Sequence, residues 1–156
     1  MGGDFKVMHY SELLAELALT PTPVSGASPL PEGEGRGVRG RVTYHDSCYL
    51  GRYNNIYKQP RELLKNADAN LVEMARSGEN SFCCGGGGGQ MWLEVDANTR
   101  INHRRLADSV DARADVVATA CPYCLLMFDD AIRSKGMGEQ IKVMDIAEVL
   151  ETQIGD

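Results

Sequence analysis

Val116-Val117-Ala118-Thr119-Ala120-Cys121-Pro122-Tyr123-Cys124-Leu125-Leu126-Met127-Phe128 is the stretch on which the fold turns. Val116 to Thr119 form a short uncharged run, three of them β-branched, and predict a buried strand. Pro122 cannot extend a strand but suits the first turn of a helix, where its missing N–H costs nothing. From Cys124 to Arg133 the chain predicts a helix with Leu125, Phe128 and Ile132 along one side. A buried strand running straight into a helix is half of a parallel βαβ unit.

The same alternation extends in both directions. Downstream, Ile141 to Met144 predict a strand and Ile146 to Gln153 a short helix. Upstream, Leu93, Ala97, Ile101, Leu106 and Val110 recur at spacings of four and five, which predicts a helix from about residue 92 to 112. Further back, Val42-Thr43-Tyr44 predict a strand, Pro60 to Lys65 a helix opened by proline, and Ala69 to Met74 another strand. Together these predict the α/β class, a Rossmann-like open, mainly parallel sheet of about four strands with helices on both faces.

Residues 20–40 carry four prolines and five glycines, and predict a Pro/Gly-rich linker or long exposed loop. A short internal repeat flanks the domain. Phe5-Lys6-Val7-Met8-His9-Tyr10-Ser11-Glu12-Leu13-Leu14 can be laid over Ile141-Lys142-Val143-Met144-Asp145-Ile146-Ala147-Glu148-Val149-Leu150. Coincidence between two strand-to-helix junctions is the plain alternative. Read as a true repeat, it predicts that residues 1–19 are the tail of a preceding repeat, strand plus helix. Residues 41–156 then form the main, cysteine-rich domain.

The 156 residues suit one core, and 43% of them are apolar. A formal charge of −6 argues against a nucleic-acid footprint. The longest apolar runs fall far short of the ~20 residues of a membrane span. The first residues show neither a basic segment nor an apolar one of the kind a secretory signal needs. A reducing cytoplasmic setting is therefore expected, where thiols persist and metal centres assemble.

Thiols dominate the chemistry. Cys48 is followed after 34 residues by the adjacent pair Cys83-Cys84, and after 36 more by Cys121-Pro122-Tyr123-Cys124. An odd number cannot pair completely into intramolecular disulfides, and one tetrahedral zinc needs only four thiolates. Five with one vicinal pair suggest an iron–sulfur assembly of unusual shape. Each cysteine is predicted at or just past a strand end or helix start, so the five can converge on the carboxyl rim of the sheet. Cys121 and Cys124 bracket a helix N-terminus, where unpaired N–H groups favour thiolate. Gly85 to Gly89 follow the vicinal pair directly. Glycine lets the backbone approach a ligand closely and offer N–H donors to sulfur, Gly85 and Gly86 first of all; a flexible loop is the bland alternative. The run is no dinucleotide fingerprint, since the third glycine would fall on Gln90 or Met91, and no Walker motif, since Gly-Lys is lacking. Two other chemistries stay open: zinc on four of the cysteines, and thiol–disulfide exchange at Cys121 and Cys124.

The order C-x34-CCG-x35-C-x-x-C, fronted by His45-Asp46-Ser47-Cys48-Tyr49-Leu50-Gly51-Arg52, resembles the cysteine-rich CCG domain of (Fe–S)-binding oxidoreductases. That family includes the B subunit of heterodisulfide reductases and the iron–sulfur subunits of glycolate and lactate oxidases. Cys-Tyr-Leu-Gly-Arg and Pro60-Arg61-Glu62-Leu63-Leu64 look closest to the C-terminal copy in oxidoreductases linked to electron-transfer flavoprotein. The resemblance covers about residues 41 to 150. It implies a noncubane [4Fe–4S] cluster on Cys48, Cys83, Cys84, Cys121 and Cys124, with zinc in some members. It also implies electron transfer with a flavoprotein or ferredoxin-type donor and a companion CCG domain or subunit, the chain alone being incomplete as an enzyme. Membrane association through partners is compatible with this setting. Ser47 departs from the commoner proline of His-Asp-Pro-Cys but removes no ligand.

Other residues carry weaker signals. His45, three before Cys48, could orient a thiolate, act as a ligand, or simply end a strand. Arg52 could offset an anionic cluster or be solvated. Met91 and Trp92 are expected in the core, with shielding of a cluster as the sharper alternative. His9 and His103 have no supporting neighbours.

Overall fold

The computed structural model describes residues 8–18, 38, 40–96 and 99–154. Among them the order is α1 (Tyr10–Ala18), β1 (Arg41–His45), α2 (Gly51–Asn54), α3 (Lys58–Asn66), β2 (Asn70–Leu71), α4 (Ile101–Asp111), β3 (Val116–Thr119), α5 (Pro122–Ser134), β4 (Lys142–Asp145) and α6 (Ile146–Ile154). The strands form one sheet in the order β2-β1-β3-β4, every neighbouring pair parallel. Strand β3 lies at the centre beside β1, with Val42 opposite Val116 and His45 opposite Thr119. The α/β class with a four-stranded parallel sheet is thus as expected.

Alternation along β1 and β3 sorts the two faces. Val42, Tyr44, Val116 and Ala118 join Leu63 and Leu64 of α3, Ile146 and Val149 of α6, and Ala15 of α1 in one apolar layer. On the opposite face Val117 packs with Leu106 of α4 and Phe128, Ala131 and Ile132 of α5. Cys84 and Cys124 belong to this second layer. Each fully buried leucine or phenylalanine contributes roughly 1.5–3 kcal/mol, so both faces fix the sheet firmly.

Three expectations are corrected. The helix expected from about residue 92 does not begin there: Gln90–Trp92 form a 3-10 turn, residues 93–96 are not helical, and α4 starts only at Ile101. Arg100 is extended (φ −57°, ψ 129°), and Thr99 returns both its N–H and its hydroxyl to the carbonyl of Asp96. Leu93 stays exposed, so its spacing to Ile101 was not that of one helix face; Ala97 lies outside the described residues. The strand expected over Ala69–Met74 pairs only at Asn70 and Leu71. Beyond Val72, whose N–H still reaches the Val42 carbonyl, Glu73 turns to Arg61 and Met74 drops into the core. Trp92 is 80% exposed, not core, because it sits on a loop tip after Gly89 (φ +72°) and not at a helix start.

The start of the repeat, residues 5–7, and most of the linker expected over 20–40 lie outside the described residues. The helical halves of the repeat begin at aligned positions, Tyr10 and Ile146. They also close in the same way. The N–H of His9 donates to the Glu12 carboxylate (3.0 Å), and that of Asp145 to Glu148 (2.6 Å). The N–H of Ser11 donates to His9 Nδ1 and that of Ala147 to Asp145 Oδ1. The Tyr10 hydroxyl, donating to the Asp145 carboxylate at 2.9 Å, ties α1 to the end of β4. No helix among the described residues is long and apolar enough to cross a membrane.

Candidate metal centre

The carboxyl ends of β1 and β3 point the chain at one place. After His45 the turn through Asp46 and Ser47 delivers Cys48. Asp46 is buried and held by both Nη atoms of Arg61 (2.6 and 3.0 Å) and by the Gly78 N–H (2.8 Å). That fixes the β1 exit to the loop that carries Cys83 and Cys84. Cys121 directly precedes α5 and Cys124 lies in its first turn, with Pro122 at its start.

The structure brings the five sulfurs into one row. Cys84 and Cys124 Sγ are 3.3 Å apart, and both side chains are buried. Cys121 sits beside Cys124 and Cys83 beside Cys84, near enough to shift each other's proton affinity, while Cys48 acts electrostatically on Cys83. Cys48, Cys83 and Cys84 line one small cavity with His45 and Arg52. Cys48, Cys83 and Cys121 are half-buried, so the row opens to solvent at its ends.

Protons are shared unevenly along it. Cys84 is pushed far down by hydrogen bonds from Cys124 and then Cys83, against burial. Cys124 is pushed up by its interactions with Cys121 and Cys84 and by burial; Cys83 is pushed up by its interaction with Cys84 and by burial. Cys121 is lowered to about 6, chiefly by the Cys124 hydrogen bond. The N–H groups of Tyr123 and Cys124 help electrostatically without closing a full cap hydrogen bond. The lowered thiols are thus Cys84 and Cys121, and the raised ones Cys83 and Cys124.

The glycine run divides in two. Gly85 has φ +87°, and a Cβ there would lie 3.0 Å from Ile101 Cβ; one at Gly86 would lie 3.2 Å from Met127 Cγ. The Gly85 N–H donates to Cys83 Sγ at 3.3 Å. Gly87, Gly88 and Gly89 have open space around them. Beside Gly85 a cleft of about 570 Å³ runs between the glycine loop and α4 and α5, lined in part by Met91, Ile101, Leu126 and Met127.

His45 is fully buried at the end of β1, edge-on to Phe128. Its Nδ1 accepts from Arg105 Nε (3.1 Å), and a ring nitrogen lies within 4.8 Å of the Cys84 sulfur. Burial, the largest influence, and then the Arg105 charge hold His45 below the usual histidine value, opposed by Cys84. Arg105 is itself fully buried; its Nη1 donates to Asp108 (2.9 Å) and to the Arg76 carbonyl (2.8 Å). Arg76 grips the other side of Asp108 at 2.7 and 3.0 Å and lies over Phe82. Burial raises the Asp108 carboxyl, but Arg76 and Arg105 outweigh it and leave it below its ordinary range. Sequence reasoning missed Arg105, because a single arginine on a helix reads as solvated; the residue faces the sheet at a position where α4 also buries Asn102, Leu106 and Ser109. Arg52 is exposed and donates to the Ser81 carbonyl.

The donor set is chemically selective. Five thiols favour zinc or iron–sulfur over magnesium or calcium. The buried carboxylate at hand, Asp46, is committed to Arg61 and Gly78 and offers no free oxygen. The residues present therefore fit a thiolate-bound metal group.

The profile of the cysteine-rich domain named CCG matches residues 42–129, more than half of the chain and the whole segment from β1 through the cysteine pair of α5. The chain belongs to the cysteine-rich CCG family. Relatives of this CCG domain include the EtfAB:quinone oxidoreductase of Syntrophomonas wolfei, 41% identical over 96% of the chain and 21% of the relative. The probable iron-sulfur-binding oxidoreductase FadF of Bacillus subtilis is 40% identical over 98% of the chain and 21% of the relative. One subunit of the dihydromethanophenazine:CoB--CoM heterodisulfide reductase of Methanosarcina barkeri is 30% identical over 97% of the chain and 34% of the relative. The CCG chain thus spans about a fifth to a third of the length of these relatives.

Proposed function

We propose that this CCG domain is an iron–sulfur electron-transfer domain of a larger oxidoreductase, with Cys48, Cys83, Cys84, Cys121 and Cys124 holding a noncubane [4Fe–4S] cluster. The observation that carries the reading is the row of sulfurs from Cys121 through Cys124, Cys84 and Cys83 to Cys48. Such a cluster, when bound, takes up and releases single electrons. Cys84 and Cys121 are ready as thiolates; Cys83 and Cys124 release their protons on metal binding, which makes loading pH-dependent. Gly85 and Gly86 line the cluster closely, and the Gly85 N–H on Cys83 stabilises negative charge on sulfur.

The exposed rings of Tyr49, Tyr53 and Tyr123 flank the half-buried cysteines and suit a docking rim for a partner. A flavoprotein or ferredoxin-type donor and a companion CCG domain or subunit are the partners in this reading; the names of the relatives, which include EtfAB and heterodisulfide reductase, support it. The matching helix caps at Glu12 and Glu148 support residues 1–19 as the tail of a preceding repeat, joined through a linker over 20–40 to the domain of 41–156. In this reading the domain acts in the cytoplasm, is incomplete as an enzyme by itself, and reaches a membrane through partners.

Anaerobic purification with iron, sulfide and zinc analysis tests the reading. About four irons per chain with matching sulfide are expected for the cluster. Cys83→Ser is expected to abolish the chromophore; an unchanged spectrum overturns the five-ligand assignment. A second reading is favoured by the low Cys121 pKa of about 6 beside Cys124, the arrangement of a thiol–disulfide pair. It predicts no metal and a Cys121–Cys124 disulfide after mild oxidation. About one zinc per chain would instead mark a structural zinc module.

A further inference from the structure

We propose that Arg105 holds His45 as a hydrogen-bond donor to the Cys84 sulfur and thereby prevents it from serving as a metal ligand. The inference deepens the cluster reading and rests on it. A ring nitrogen of His45 and the sulfurs of Cys84 and Cys124 all lie within 4.8 Å of one another, a grouping that by distance alone would accept a metal ion with histidine as a ligand. The other side of the ring decides otherwise.

Arg105 Nε approaches His45 Nδ1 at 3.1 Å. A guanidinium nitrogen is a donor at every pH a protein survives and never an acceptor, so Nδ1 must present its lone pair. In the neutral ring the proton then resides on Nε2, which leaves that nitrogen as the one able to donate toward the Cys84 sulfur, whose distance from the ring nitrogen is within 4.8 Å. Ligation through Nε2 would move that proton to Nδ1 and set two N–H groups against each other in a fully buried contact. Arg105 cannot turn away to relieve the clash. Its Nη1 is held by Asp108 and by the Arg76 carbonyl, and Asp108 is clamped in turn by Arg76. The chain Arg76–Asp108–Arg105–His45–Cys84 therefore acts as a positioning device. It delivers one oriented donor to one sulfur and leaves metal ligation to thiols.

A donor on a thiolate ligand stabilises the more negative, reduced state, so His45 raises the reduction potential of the centre. The test uses the whole natural protein, purified without oxygen and labelled with 15N-histidine. Electron–nuclear double resonance of the reduced cluster is expected to show only weak nitrogen coupling through the Cys84 sulfur; strong direct iron–nitrogen coupling overturns the proposal. Potentiometry is expected to give a lower midpoint for His45→Leu with iron and sulfide retained, and partial recovery in His45→Gln, whose amide N–H can still donate. An unchanged midpoint in His45→Leu at full iron content also overturns it. Should His45→Leu not fold, the wild-type coupling and His45→Gln carry the same decision. If the wild-type protein holds no iron, the cluster reading fails separately. The tautomer is then read by 15N NMR of the reduced, metal-free protein: a proton on Nε2 supports the donor assignment and one on Nδ1 refutes it.

Discussion

The two faces of the sheet bury different materials. Toward α3 and α6 the layer is almost wholly aliphatic and aromatic, from Val42 and Leu63 to Ile146 and Val149. Toward α4 and α5 the same strands present Thr43, His45 and Thr119, and α4 buries Asn102, His103, Arg105 and Ser109 against them. Desolvating polar groups costs free energy unless each finds a partner, so the second face carries its polar content at the expense of stability. Both faces stabilise the sheet, the first through an almost purely apolar layer, and the candidate chemistry lies on the second.

Variants on each side can break that division. The largest effect is expected from Cys84→Ser, which removes the sulfur at the middle of the row: metal content falls to background, while the unfolding midpoint of the metal-free protein in urea changes little. A collapse of the fold as well would show that the second face is also the main structural one. Asp108→Asn leaves Arg105 buried with its countercharge gone and is expected to cost about 3–5 kcal/mol in the same urea titration. Leu64→Ala, on the apolar face, is expected to cost about 2–5 kcal/mol while iron per folded chain stays at the wild-type value. Loss of iron in proportion to stability would mean the faces are not separable.

The smallest effect is an acid one. The Asp108 carboxyl is held below its ordinary range by Arg76 and Arg105, so its contribution is complete above the unfolded-state value of about 3.9 and is lost as pH falls through the lower folded-state value. Urea unfolding followed from pH 6 downward (about two units above that value) should show a stability loss on the acid side that is blunted in Asp108→Asn. Equal slopes in both proteins would assign the acid sensitivity elsewhere.

Much of the fold was legible because its signals were local. Val116 to Thr119 form β3 as read, and Pro122 opens α5. The cysteine order pointed to one rim because strands in a parallel sheet end on the same side, and the sulfur contacts follow. What failed was reading that depended on partners far along the chain. Leu93 matched a helical rhythm by spacing but stays half exposed, and the helix waits until Ile101. Arg105 was invisible because its acceptor, His45, lies at the end of a strand sixty residues earlier. Trp92 was misplaced because apolarity alone cannot tell a core residue from one raised on a glycine loop.

The glycine run, uniform in sequence, has two different tolerances for change. Gly85 and Gly86 are pinned between the sulfurs and the helices, so any side chain there meets Ile101 or Met127. Gly87 to Gly89 have open space around them, so what limits a side chain there is backbone conformation alone, φ being +62° at Gly88 and +72° at Gly89. Divergence among family members should accordingly appear as insertions and deletions on the outer three positions and as near-invariance at the inner two. The loop can thus be lengthened or shortened to suit a new docking partner without disturbing the thiols behind it.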